Sequence, residues 1–444
     1  MLLKTFTLGG IHPEENKISS GSPIRPASLP GTVTVPLAQH IGAPAEPVVA
    51  KGDKVKVGQL IGKGQAFISA NVHSPVSGTI LKIDDFMDSS GYRKRAVQIT
   101  TEGDEWLETI DRSEALREDI TLTREEIVAR IKEAGIVGMG GATFPTHVKM
   151  IVPEGKKAEC LIINGVECEP FLTSDHRLML EKGAEVMVGT RILMTALGVN
   201  QGYIGIENNK PDAISLMQGL CNRFPGIEIV PLKVKYPQGG EKQLIKAILN
   251  REVPSGKLPI ETGCVVQNVG TAVAVYDAVQ KNKPLIERVV TVTGKSLKSP
   301  CNLLVRIGTP VSLLLEEAGG LPEDACKIIN GGPMMGKALG SADIPVIKGM
   351  SGLVVMDARD AKRPRVYHCI RCARCTVACP MGLAPYLIAQ MAESHLEAQA
   401  EEERVMDCIE CGSCSFTCPS GRPLLDNIRI AKSKVGQLMR TRAK

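Results

Sequence analysis

Eight of the fourteen cysteines stand between residues 369 and 418 in two copies of one spacing, Cys369-x2-Cys372-x2-Cys375-x3-Cys379-Pro380 and Cys408-x2-Cys411-x2-Cys414-x3-Cys418-Pro419. No other feature restricts the fold so tightly. Thiols three residues apart on a short loop reach three corners of an iron–sulfur cubane, and in paired motifs of this kind the cysteine before proline ligates the other cluster. The repeat therefore assigns Cys369, Cys372, Cys375 and Cys418 to one [4Fe-4S] cluster, and Cys408, Cys411, Cys414 and Cys379 to a second. Zinc takes cysteines as two separated C-x2-C pairs per tetrahedral site, so a third cysteine at the same interval does not fit it. Clusters held by four thiolates relay single electrons and leave no position open for substrate. The 382–407 spacer carries Leu387, Ile388, Met391 and Leu396 at helical spacing, which predicts a helix covering the clusters.

The chain of 444 residues is long enough for roughly three domains at about 150 residues each. Its 43% hydrophobic and 23% charged content is that of a globular protein. The charge balance, 53 − 48 = +5, forms no basic stripe, and only 3% of residues are aromatic, which together argue against a nucleic-acid partner. No apolar run reaches the roughly 18 residues of a membrane-spanning helix. Met1 to Gly10 lacks the basic start and apolar core of a secretory signal, so a cytoplasmic chain is expected, in which cysteines serve metal rather than disulfides.

Ahead of the cysteines the pattern changes repeatedly, as in a multidomain α/β protein. Residues 1–47 read as an irregular arm, rich in Pro, Gly and Ser from Ile11 to Pro47. Residues 48–110 hold short β-prone runs (Val55 to Ile61, Thr79 to Ile83, Ala96 to Thr100) broken by turns such as Lys51-Gly52-Asp53. There Gly58-Gln59-Leu60-Ile61 and Ser74-Pro75-Val76-Ser77-Gly78 resemble the barrel-sandwich of biotinyl and lipoyl carriers, but no residue from 65 to 79 is a lysine, so the shape is expected without the carrier chemistry. Residues 120–285 open on a capping box, Thr123 with Glu126, and then alternate strand-like and helical runs, predicting a Rossmann-like α/β domain. Residues 286–358 resemble a β-grasp, SLBB-like fold, and residues 366–432 make an α-helical two-cluster ferredoxin domain.

Glycine-rich and acidic loops mark the α/β domain. Gly138-Met139-Gly140-Gly141-Ala142-Thr143-Phe144-Pro145-Thr146 follows a helix rather than a strand, so it is not a dinucleotide fingerprint. The strand Leu161-Ile162-Ile163 ends in Asn164-Gly165-Val166-Glu167-Cys168-Glu169-Pro170, where α/β folds bind ligands. Tyr236-Pro237-Gln238-Gly239-Gly240-Glu241 and Gln267-Asn268-Val269-Gly270-Thr271 each open a helix. Loops of this kind suit a flat, phosphorylated cofactor held largely by backbone.

Those segments resemble, in order, the FMN-site motifs of the NADH-binding flavoprotein subunit of respiratory complex I. Thr143 stands where that subunit has glycine, Val166 where it has an acid, and the region after Pro170 is one residue longer. A wider resemblance, carried by Gly9 to Pro13, Gln39 to Pro44, Ile163 to Arg177 and Asn330-Gly331-Gly332-Pro333-Met334-Met335-Gly336 with the double cysteine motif, is to the RnfC family of the Rnf electron-transport complex. It implies a peripheral subunit on the cytoplasmic face of the inner membrane, with FMN, two [4Fe-4S] clusters and NAD(H), docked on other subunits of the complex and reaching ferredoxin through them. The implied activity is that of a translocase subunit: hydride exchange between NAD(H) and FMN, then one-electron transfer through the clusters. Two alternatives remain at this point: a soluble flavin and iron–sulfur reductase, such as the cobalamin reductase of microcompartments, and a non-catalytic ferredoxin-like adaptor.

The resemblance also implies roles. Gly138, Gly140 and Gly141 would let the backbone approach the flavin. Lys149 and Asn164 would meet its pyrimidine edge, Glu167 and Glu241 would line the pocket with Tyr236, Gly239 and Gly240, and Asn268 and Thr271 would lie near the phosphate. On the nucleotide side, Phe144 would stack on adenine while Glu169, with Glu167 and Glu241, would meet the nicotinamide half. Cys160, Cys168, Cys221, Cys264, Cys301 and Cys326 are expected merely to pack, and the histidines show no ligand spacing.

Overall fold

The computed structural model describes residues 3–89 and 91–442, so Met1 and Leu2 of the N-terminal reading lie outside the described residues. At its centre is a four-stranded, wholly parallel sheet in the order Ile227–Leu232, Gly202–Glu207, Cys160–Asn164, Cys264–Asn268. These strands read as nearly unbroken apolar runs because both faces are covered. Leu161 and Ile163 turn to one side, against Val188, Ile192 and Val269; Ile162 turns to the other with Val230 and Val266, against Leu244, Ile245 and Ile248. Covering helices are Gly183–Leu197 and Val269–Gln280 on the first face and Glu241–Leu249 on the second. Their ends follow local chemistry: Gly198 closes one helix at φ 69°, and the Asn268 side chain accepts from Gly270 N to start another. The capping box at Thr123 and Glu126 is present on helix Arg124–Glu133.

Two β modules flank this domain. In the β-grasp unit, strands Cys301–Arg306, Glu287–Thr293, Gly352–Asp357 and Ala325–Asn330 share a mixed sheet, and helix Val311–Glu317 packs Val311, Leu314 and Leu315 on it. The barrel-sandwich is built from Arg93–Thr101 and Gly78–Met87 on one sheet and Leu60–Lys63 and Val72–His73 on the other. The N-terminal segment is more ordered than its composition suggests. Ile24–Pro26 adds a parallel edge strand to the β-grasp sheet, Thr32–Pro36 adds an antiparallel one to the barrel-sandwich, and Lys4 and Ile11 bridge to Leu232 and Tyr236. Short edge pairings of this sort are chosen by the partner strand rather than by intrinsic propensity, which is why Pro, Gly and Ser concealed them.

The C-terminal unit is helical. Helix Pro385–Glu393 buries Ile388 against Leu424 and Ile428 of the long helix Leu424–Arg442, and Met391 packs at the edge of this core. Leu396 departs from the predicted covering face: it is exposed, at the turn before the short helix Glu397–Glu402. Of the remaining cysteines, Cys160, Cys264 and Cys301 are buried as expected, whereas Cys326 is exposed.

The tightest approach in the α/β domain is between helices Gly183–Leu197 and Val269–Gln280, where a Cβ on Gly189 would stand 2.0 Å from the carbonyl oxygen of Ala272. Gly189→Ala must therefore push the helix carrying Thr271 away, and we expect a loss of about 1–3 kcal/mol in denaturant unfolding. Gly219→Ala, where a Cβ meets nothing within 4 Å, is the control and should unfold like the wild type or slightly later.

Candidate functional site

The loops singled out in the sequence converge at the C-terminal end of the parallel sheet. Asn164 and Asn268 end neighbouring strands in register. Asn164 Nδ2 donates to the Gly239 carbonyl at 2.8 Å, and Asn268 Nδ2 lies 3.5 Å from the Asn164 carbonyl and 2.7 Å from Asp175. The glycine loop is held over this edge by Met139 N donating to the buried Thr271 hydroxyl at 3.0 Å. Lys149 reaches Glu241 at 3.0 Å and the Val266 carbonyl at 3.1 Å. Phe144 is half-buried, and its carbonyl accepts from Gly138 N.

The three glycines of that loop do different things. A side chain at Gly141 would meet nothing within 4 Å, and at Gly138 the nearest atom is 3.6 Å away, so there the backbone stands open to an approaching group. Gly140 instead accommodates a neighbour: its Cβ would lie 2.5 Å from Asn268 Nδ2. At the end of the adjacent strand Gln267 Nε2 is buried with no hydrogen-bond partner. An open backbone edge, an ammonium, two asparagine amides and an orphaned buried donor fit a flat cofactor with carbonyl and phosphate oxygens.

The acidic loop is arranged otherwise than local reading suggests. Glu167, at φ 46°, turns its carboxylate onto the start of helix Ser174–Glu181, accepting from Asp175 N at 2.8 Å, His176 N at 3.1 Å and the Ser174 hydroxyl at 3.2 Å. Negative charge is favoured at that position. The loop carbonyls of Glu167, Glu169 and Leu172 all accept from Lys17 Nζ, at 2.8, 3.0 and 2.7 Å. Glu169 lies in a joint between three units. Its carboxylate accepts from Met334 N at 3.0 Å and Met335 N at 2.8 Å, and lies 3.3 Å from the Tyr236 hydroxyl. Gly332 is mandatory beside it, because a Cβ there would come within 2.1 Å of Glu169 Oε2. Burial pushes Glu169 up to about 7, and burial with the nearby Glu167 charge pushes Asp175 up to about 7. Buried Arg288 faces Asp175, its guanidinium lowered to about 10 by burial.

Tyr236 belongs to the same joint rather than to the open edge. Its hydroxyl donates to the Cys411 carbonyl at 2.8 Å, its backbone pairs with Ile11, and it packs with Ala378 and Cys411. Gln243 Nε2 adds a bond to the Pro380 carbonyl at 3.3 Å, and Gly10 N donates to that of Ala378. Gly239 N donates to Cys168 Sγ at 3.3 Å, and Gly240 starts the helix opened by Glu241. The joint thus presses the loop bearing Cys411 against the α/β domain.

The predicted cluster ligands separate into two environments. Cys379, Cys408, Cys411 and Cys414 line one apolar hollow with Leu383, Ile388 and Ile428. Burial pushes Cys408 up to about 11 and Cys414 up to about 12, so these thiols give up protons only to a cation that replaces them. Cys369 and Cys372 are exposed, Cys375 is buried and Cys418 half-buried. Among the described residues no three His, Cys, Asp or Glu side chains converge on an ion-sized point; thiolates at the corners of a cubane stand farther apart than that. Four thiols around an apolar hollow fit a [4Fe-4S] cluster.

This architecture defines a class: an electron-transfer protein with a flavin-type α/β domain wired to a dicluster domain. Comparison with known families agrees unit by unit. Residues 4–104 match the RnfC barrel sandwich hybrid domain, 131–277 the Nuo51 FMN-binding domain, 289–338 the SLBB domain and 365–419 the 4Fe-4S dicluster domain. The chain is 47% identical over 406 residues to the C subunit of the proton-translocating ferredoxin:NAD(+) oxidoreductase complex of Clostridium ljungdahlii, covering 90% of this chain and 87% of that one. It is 42% identical over 431 residues to the Na(+)-translocating counterpart of Acetobacterium woodii, covering 96% of each. In fold it is similar to a chain of an NAD+-reducing [NiFe]-hydrogenase, at TM-score 0.51 and 17% identity, over 70% of this chain and 62% of the other. The chain belongs to the RnfC family, the C subunits of the Rnf complexes.

Lys17 and Arg288 stand in no motif of the sequence, and Asp175 and the Met334–Met335 amides stand in motifs that do not reveal their roles, since Lys17, Arg288 and the two amides act across more than a hundred residues of chain. For Glu169 the sign of the pH effect is fixed. Its carboxyl is harder to ionise in the fold than in the unfolded chain, where 4.5 applies, so its contribution is whole below about pH 4.5 and is lost as pH rises through about 7. Between about pH 5 and pH 8 the wild type should lose up to roughly 3 kcal/mol relative to Glu169→Gln. Parallel thermal melts across that range would contradict the assignment.

Proposed function

We propose that this chain is the NADH-oxidising, NAD-reducing subunit of a membrane-bound ion-translocating NAD:ferredoxin oxidoreductase complex, and so one part of a translocase. The observation that carries the reading is the joint itself: the loops suited to a flavin are fixed by Tyr236 against the loop that bears the cluster ligand Cys411. FMN, when bound, exchanges electrons in pairs with a nicotinamide and singly with an iron–sulfur cluster. Gly138 and Gly141 leave the backbone open to it, Lys149 and Asn164 meet its ring, Asn268 and Thr271 hold the loops at its phosphate end, and Gly140, Gly239 and Gly240 let those loops pack. Phe144 and Glu241 are assigned to the nucleotide side. Glu167 and Glu169 act by shaping the loop, since their oxygens already accept backbone N–H groups. No side chain is required as an acid or base.

The clusters are held by Cys408, Cys411, Cys414 and Cys379 at the joint, and by Cys369, Cys372, Cys375 and Cys418 on the far side. Among the described residues no helix is long and apolar enough to cross a membrane, which suits a peripheral subunit docked on partner subunits; the cytoplasmic face of the inner membrane is where NADH would meet it, and ferredoxin would be reached through those partners. The names of its relatives, which are subunits of ferredoxin:NAD(+) oxidoreductase complexes, support this reading over a free-standing reductase or an inert adaptor.

Anaerobic titration of the FMN- and iron-loaded protein with NADH tests the proposal. Flavin absorbance should bleach first and the cluster signals in electron paramagnetic resonance should follow; a loaded protein that stays silent on adding NADH sinks it. In Cys372→Ser the bleaching and the signal of the Cys408–Cys414 cluster should survive while the other cluster signal disappears.

A further inference from the structure

The two cysteine motifs repeat one backbone in different surroundings. Arg371 and Glu410 occupy equivalent positions at φ 56° and 58°, and Ala373 and Gly412 at 60° and 77°. Around the second copy the side chains between the first three cysteines have neighbours. Glu410 accepts from Arg429 Nε and Lys432 Nζ, each at 3.0 Å, Ser413 is fully buried, and Ile409 packs into the Tyr236 joint. The first copy carries Ile370, Arg371 and Arg374 at those places, and all three are exposed, Ile370 at 67%. Among the described residues neither arginine has an ion-pair partner, although Glu410, the counterpart of Arg371, has two.

The surroundings extend the pattern. From Lys362 to Arg374 there are five lysines and arginines and no acidic residue. Arg363 is paired with Asp426 at 3.2 Å and Arg365 lies over the Tyr367 ring at 5.3 Å. Tyr367, Ile370 and Val377 are exposed at 56, 67 and 74%. Beside them runs a groove of about 520 Å³ whose acid, Glu393, is already neutralised by two bonds from Arg422 at 2.7 and 2.8 Å. Exposed apolar side chains bordered by cations, Arg371 and Arg374 among them without an ion-pair partner, are the composition of an interface with an acidic partner. Where the same motif is covered by protein, the counterparts of Ile370, Arg371 and Arg374 are packed, paired and buried, while Phe416, the counterpart of Val377, is exposed as Val377 is.

Resting on the electron-transfer reading above, we propose that this face docks a protein partner whose acidic surface surrounds a one-electron centre, with Arg371 and Arg374 steering it to the cluster of Cys369, Cys372, Cys375 and Cys418. The step moves one electron between that cluster and the partner's centre, one being oxidised as the other is reduced, with no bond made or broken.

The test adds loaded full-length protein to salt-washed membranes that carry the rest of the complex but lack this chain, and follows sedimentation. Wild type should rebind with an affinity that falls as salt rises, and the double variant Arg371→Glu, Arg374→Glu should rebind at least tenfold more weakly while NADH still bleaches its flavin. Arg365→Glu, outside the cysteine motif, should weaken rebinding in the same direction even if the double variant loses iron. Rebinding of Arg365→Glu and of an iron-replete double variant at wild-type strength overturns the proposal. So does equal tight binding of the wild type to protein-free vesicles of anionic phospholipid, which would make the face a lipid surface. A wild type that rebinds as described but whose flavin does not respond to NADH would count against the proposed function and leave the docking face standing.

Discussion

A buried hydrogen-bonded joint, with Glu169 and Tyr236 at its centre, makes the separate units of this chain into one electron-transfer device. The carboxylate takes two backbone N–H groups from the β-grasp loop and the tyrosine hydroxyl takes up the carbonyl of Cys411, so three units meet at two side chains of the α/β domain. Buried polar groups are costly unless satisfied, which makes the joint demanding of register: displacement of any one unit strands an acceptor in an apolar setting. The carboxyl held near neutrality by burial marks how closely the joint excludes water.

The N-terminal segment reinforces that arrangement from outside. Lys17 gathers three carbonyls of the acidic loop, Gly10 reaches the cluster domain, and the strands at Ile24–Pro26 and Thr32–Pro36 tie in the two β modules. This strap also adds buried side chains of its own, Phe6, Val33, Val35 and Leu37 among them. Its value lies in fixing the modules relative to one another, because electron transfer needs the loops of the α/β domain and the cluster-bearing loop to keep one spacing. The β-grasp unit serves the same end, since it supplies the amides that hold Glu169.

Local chemistry was readable wherever it is written in consecutive residues. The strand Cys160–Asn164 falls on the apolar run Leu161-Ile162-Ile163, and Thr123 caps its helix as its spacing with Glu126 requires. The loops around Asn164 and Asn268 converge because parallel strands in an α/β sheet deliver their ends to one edge. The roles within that edge were less legible. Gly140 is glycine because of Asn268, Glu167 caps a helix, and Glu169 is sealed by a loop 165 residues away. Nothing in the residues beside them records those partners.

The sequence by itself determined the iron–sulfur chemistry, since the cysteine spacing suits two cubanes whose ligand geometry depends on intervals of three residues, and its loops suit a flat, phosphorylated cofactor that resemblance to a flavoprotein family identifies as FMN. Only the tertiary structure decided which cluster faces inward. The two motifs share one cysteine spacing, with Arg371 and Arg374 where the second has Glu410 and Ser413, and what separates their settings is that one lies against Tyr236, Ile11 and Met334 while the other holds its arginines unpaired at the surface. Burial and charge pairing depend on what the rest of the fold brings near, and that information is absent from any local interval of the chain.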